Sequence, residues 1–125
     1  MKSEIISKEL IFECKNRLLS MCADILNRLS TNKRELSVIE KMVGDEADQT
    51  VAQLEENNFL AKHERLRFQL LEIDYALLRI ESGAFGVCEE TQEPIEPQRL
   101  LVLPQTRLSI EGAEIRDCMN RKFAR

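Results

Sequence analysis

Apolar residues in the first half of the chain recur at Ile11, Cys14, Leu18, Cys22, Ile25, Leu29, Leu36 and Ile39, with Asn32 as the polar member of the series. The steps of three and four residues are those of a heptad seam, so this stretch predicts one long helix with a single buried stripe. Ser7 stands where an N-cap is expected. The series breaks at Gly44-Asp45-Glu46-Ala47-Asp48. Glycine ends helices and aspartate starts them, so a turn is expected there. A second series follows at Val51, Leu54, Asn58, Ala61, Arg65, Phe68, Leu71, Tyr75 and Leu78. It predicts a second helix to about Ser82, stopped by Gly83.

The two series mirror each other. If the chain folds back at Asp45, Ile39 meets Val51, Leu36 meets Leu54, Leu29 meets Ala61 and Cys22 meets Phe68. Asn32 then meets Asn58, each 13 residues from Asp45. A paired polar layer fixes register at some cost in stability. The pattern therefore predicts an antiparallel two-helix coiled-coil hairpin, each arm on the order of 40 Å long. Arg65 fits this seam poorly, because a guanidinium cannot sit unpaired among apolar side chains, and is expected to point outward.

After Gly83 come Pro94, Pro97 and Pro104 and the cluster Leu100-Leu101-Val102-Leu103. That composition predicts a compact irregular lobe packed by Val87, Ile95, Leu100, Val102, Leu108 and Ile115, each worth about 1.5–3 kcal/mol when fully buried. A last amphipathic helix is expected over Ile110 to Phe123, with Ile115, Met119 and Phe123 on one face. Arg116, Arg121, Lys122 and Arg125 would complement its C-terminal dipole. The fold class is mostly α: a hairpin over 1–82 with its tip near 44–50, then a lobe with a C-terminal helix over 83–125.

Composition supports helices. Of 125 residues 32% are charged and 5% aromatic, and the chain holds only 4 Gly and 3 Pro. The net charge of −4 argues against sequence-independent DNA binding, which needs clustered Lys and Arg. Cys14, Cys22, Cys88 and Cys118 form no CxxC pair, so a reducing, cytoplasmic setting without a disulfide framework is expected. No apolar run is long enough for a membrane span, and no secretory leader is expected. Neither a Ser/His/Asp set nor a phosphate-binding glycine loop is present, so no enzyme activity is expected.

Residues 79–112, RIESGAFGVCEETQEPIEPQRLLVLPQTRLSIEG, resemble the DksA/TraR (DnaK suppressor) family of bacterial RNA polymerase-binding transcription factors. The frame is RIxxGxFGxC, then an Ile before Arg-Leu, then a Pro and a second ligand pair. The resemblance extends back through the hairpin. In that family two CxxC pairs bind zinc in a zinc-finger-like lobe. The matching positions here are Cys88, Thr91, Ser109 and Gly112. One thiol cannot close a tetrahedral structural site, so neither metal nor cofactor is expected. Cys88 itself reads as a half-buried packing residue or a redox-sensitive thiol.

The family's tip motif, D-x-x-D-x-A, corresponds to Asp45-Glu46-Ala47-Asp48-Gln49-Thr50, with Thr50 in place of the small residue. The resemblance implies that this tip enters the polymerase secondary channel to modulate initiation, without direct nucleic-acid contact. Taken alone, Asp45 and Asp48 would simply cap the second helix. Arg65 matches a polymerase-contacting position. The family's guanosine tetraphosphate positions correspond to Gln69, Glu72, Leu103 and Ala113. None is cationic, so a weak or absent response is expected, unless Arg67 or Arg99 substitutes. A monomer is expected. The competing readings are a helical adaptor that oligomerises through its seam and a passive competitor for the channel.

Overall fold

The computed structural model describes residues 6–42 and 46–123, apart from the side chains of 39, 40, 42, 46–48 and 123. Four helices follow in order: α1 Lys8–Met42, α2 Glu46–Ser82, α3 Pro97–Val102 and α4 Ile110–Phe123. The expected places of Gly44, Asp45 and Arg125, and the side chains of Ile39, Asp48 and Phe123, lie outside the described residues. The chain packs as two compact units, Met21–Leu71 and Met1–Ser20 with Glu72–Arg125. This division falls within the long helices, whereas the sequence pattern places a boundary at Gly83.

In the unit Met21–Leu71, α1 presents the expected stripe. Ile25 and Asn32 are buried, and Cys22, Leu29 and Leu36 are half-buried. The α2 seam differs from the expected one. Val51, Leu54, Phe68 and Leu71 are all more than half exposed, between 57% and 64%, and Asn58, Ala61 and Arg65 are also exposed. The side chains turned inward are Ala52, Phe59, Leu66 and Leu70, with Glu56 and His63 beside them. The Asn32–Asn58 layer is not formed. Asn32 Nδ2 donates to the Phe59 carbonyl at 3.0 Å instead. The physical reason is visible in the heptad column Ala52, Phe59, Leu66, Ile73, Ile80, which is apolar throughout. The expected column would have carried Asn58 and Arg65 inward and desolvated them.

In the other unit, Ser7 Oγ accepts from Leu10 N at 3.0 Å, the expected N-cap of α1. Gly83, at φ +82°, closes α2. Its N–H reaches Ile80 O at 3.3 Å and that of Ala84 reaches Arg79 O at 3.0 Å, the paired bonds of a Schellman ending. The core holds Cys14 and Leu18 of α1, Ile73 and Ala76 of α2, and Phe85, Ile95, Leu100 and Pro104 of the lobe. Val102 and Ile115, expected in this core, point outward at 74% and 37% exposure. A six-residue helix that buries Leu100 turns Val102 to its other side. α4 rests instead on the side carrying Gly112, Ala113 and Arg116.

Candidate functional site

The lobe begins with a tight reversal. Val87 bridges Pro94, Cys88 N donates to Glu93 O at 2.8 Å, and Ile95 N donates to Gly86 O at 2.7 Å. Gly86 sits at φ +88° with Ile6 and Leu100 packed where a Cβ would stand, so glycine is required there. This reversal brings Cys88 and Thr91 to the N-terminus of α4, where Ser109 Oγ accepts from Gly112 N at 3.0 Å. The four positions aligned with family ligands are thus neighbours. Cys88 Sγ is hydrogen-bonded by Ser109 and Thr91. The space a side chain at 112 would need is filled by the Cys88 sulfur.

Burial alone would push the Cys88 thiol up. The hydrogen bonds from Ser109 and Thr91 outweigh it and hold the thiol at about 6. Cys14 is the contrast: burial raises its pKa, and its sulfur lies 3.5 Å from the Leu100 carbonyl.

These residues do not fit zinc. One thiol, two hydroxyls and a glycine provide too few thiolate or imidazole donors for a closed tetrahedral site. Among the described residues no group of three or more His, Cys, Asp or Glu is placed to hold a metal.

A charged cluster surrounds this knuckle. Arg107 grips Glu72 through both carboxylate oxygens, at 2.8 and 3.0 Å. Arg116 lies 3.0 Å from Glu90 and 3.6 Å from Glu89. Tyr75 donates its hydroxyl to Glu89 at 3.3 Å, and its ring carries the guanidinium groups of Arg107 and Arg79 at 3.9 and 5.0 Å from the centroid. Arg79 is buried, and burial lowers its pKa. It donates to the carbonyls of Gln105 and Thr106. The sequence pattern does not reveal this cluster. Arg116, expected to serve the α4 dipole, pairs with the knuckle instead; Glu89-Glu90 directly after Cys88 is the signal that could have shown it.

The positions aligned with the family's nucleotide site differ in their surroundings. Gln69 is exposed; Glu72 is engaged by Arg107; Leu103 is exposed and Ala113 half-buried. Of the two possible substitutes, Arg67 is exposed, while Arg99 is spent on the Leu108 carbonyl at 2.8 Å. Along α2, Thr50 and Arg65 are exposed. They are 15 residues apart in number, roughly 22 Å along a helix, and so do not form one site. Arg65 lines a shallow groove of about 550 Å³ with Glu55, Asn58, Phe59 and Lys62. Asp45 lies outside the described residues, as does the side chain of Asp48.

Residues 83–117 match the prokaryotic dksA/traR C4-type zinc finger. The chain is 33% identical over 100 residues to the RNA polymerase-binding transcription factor DksA of Caulobacter vibrioides, covering 80% of this chain and 70% of that protein. It is 28% identical over 109 residues to general stress protein 16O of Bacillus subtilis, covering 75% of this chain and 63% of that protein. The solved structure of transcription factor DksA2 from Pseudomonas aeruginosa matches with a TM-score of 0.85 and 31% identity, over 93% of this chain and 89% of that one. Among the described residues no helix is long and apolar enough to cross a membrane. Identity at this level across most of both chains, together with a knuckle that keeps one cysteine at the C4 positions, makes this chain a member of the DksA/TraR family.

Proposed function

We propose that this chain is a transcription regulator that binds bacterial RNA polymerase and carries its acidic tip, Asp45 and Asp48, into the secondary channel to modulate initiation. The observation that carries this reading is the 33% identity to a polymerase-binding factor over 70% of that protein. Two long helices joined at an acidic segment suit it. Carboxylates on a helical arm can interact with basic or metal-bound groups deep in a narrow pore, where charge interactions are strong. Thr50 and Arg65, both exposed on α2, are free to contact the channel wall. The acidic net charge fits action through protein contacts rather than through DNA. The protein would work as a cytoplasmic monomer and would itself catalyse nothing.

Guanosine tetraphosphate is expected to change its action little. Glu72, one of the positions aligned with the family's nucleotide site, is held by Arg107, so neither charge is available to a polyphosphate. The test is direct binding of labelled protein to purified polymerase, with and without the nucleotide. The expected result is saturable binding whose affinity the nucleotide shifts less than about twofold, under 0.5 kcal/mol.

A second reading rests on the outward apolar residues of Met21–Leu71. Leu26, Val38, Val51, Leu54, Leu60, Phe68 and Leu71 are all at least 49% exposed. Such residues suit a helical adaptor that pairs with a second copy. The solution mass separates the two: a dimer that does not bind polymerase favours the adaptor.

A further inference from the structure

A zinc ion in a four-cysteine finger joins two knuckles and contributes folding energy outright. In this chain the corresponding positions remain adjacent without a donor set that can hold the ion. Something else must keep the first knuckle, at Cys88, against the second, at Ser109 and Gly112. Besides the hydrogen bond that Ser109 gives the Cys88 sulfur, the ties that span this gap come from residues near those positions. Glu89 N donates to Arg107 O at 2.9 Å. Arg116 Nε is 3.0 Å from Glu90, its Nη2 is 3.6 Å from Glu89, and Arg107 Nη1 is 4.0 Å from Glu89. The side chains are 26–41% exposed, so they are partly shielded from solvent. Isolated exposed ion pairs contribute little, but pairs sharing partners in a partly buried network contribute more.

We propose that Arg107 and Arg116 clasp Glu89 and Glu90 across the gap that a metal bridges in four-cysteine relatives, so that the lobe of this chain closes by ion pairing and folds independently of zinc. Gly112 completes the arrangement by leaving room for the Cys88 sulfur where a fourth ligand would stand. The inference does not rest on the polymerase reading, because its test needs no polymerase.

The experiment is thermal unfolding of the full chain, with and without EDTA and across a salt series. Raising salt from about 0.1 M to about 1 M shortens the screening length from about 10 Å to about 3 Å. The clasp requires a Tm that EDTA leaves in place and that falls by several degrees across the salt series. Glu90→Gln and Arg116→Gln should each lower Tm by about 2–5 °C, and the double variant by clearly less than their sum. If either single variant fails to fold, the reversed pair Glu90→Arg with Arg116→Glu should recover a cooperative transition. Zinc bound at one ion per chain, with a Tm that collapses in EDTA, would overturn the proposal. So would a salt-independent Tm with additive single variants, or a reversed pair that is no better than its single components.

Discussion

At the scale of single residues, Gly112 and Cys88 share one space. A glycine inside a helix is ordinarily improved by alanine, by roughly 0.5–1 kcal/mol. Here the added methyl would meet the Cys88 sulfur, with Ser109 Oγ and Glu90 Cβ each at 3.4 Å behind it. Gly112→Ala is therefore expected to destabilise the chain, by about 1–3 kcal/mol, as overpacking does. Adding Cys88→Ala frees that space, so the double variant should lose less than the two single losses combined. Urea unfolding of all four chains measures this, and a strictly additive double variant contradicts the shared space. The Cys88 thiol also ties stability to pH. Its folded value of about 6 lies below the ordinary 9.0. Between these values the unfolded chain binds the extra proton, so stability rises with pH across that window. It is lost as pH falls through 6. In Cys88→Ala the rise in Tm between about pH 6 and 8.5 should flatten. An unchanged slope would assign the dependence to other groups.

At the scale of elements, α1 and α2 are not equally legible. On α1 the stripe of Cys14, Leu18, Ile25 and Leu36 runs the length of the helix, whereas the rival column Phe12, Leu19 and Leu26 stops at Lys33, so the stripe can be read directly. On α2 two columns compete, one through Leu54, Ala61 and Phe68 and one through Ala52, Phe59, Leu66 and Ile73. The mirror symmetry of Asn32 and Asn58 about Asp45 favours the wrong one. The difficulty of placing Arg65 in that seam is the signal that points to the other. Substitutions separate the columns. Leu66→Ala removes a buried side chain and should cost about 2–4 kcal/mol. Phe68→Ala, on a side chain 63% exposed, should stay within about 0.5 kcal/mol. Equal losses in chemical denaturation would contradict the seam described here. Helix ends are easier, since Ser7 and Gly83 act through local chemistry that needs no partner helix.

At the scale of the whole molecule, the resemblance at 79–112 locates the knuckle without coordinates, because its Gly, Phe-Gly and Cys spacing is specific. The ion-pair cluster around it is not legible in the same way. Glu72, Glu89, Arg107 and Arg116 are up to 44 positions apart in number, and charged residues on a surface carry no period that reveals their partners. Nor does the sequence show that Arg79 turns inward onto the carbonyls of Gln105 and Thr106, 26 and 27 positions away. The function proposed for the chain depends on Asp45 and Asp48, which the sequence singles out and the described side chains do not include. The most direct measurement is transcription by purified bacterial RNA polymerase from a ribosomal RNA promoter, with wild-type protein and with Asp48→Asn. The wild type is expected to shift transcript output, and Asp48→Asn to bind polymerase while shifting it far less. A wild-type chain that neither binds polymerase nor alters output would contradict the proposed function.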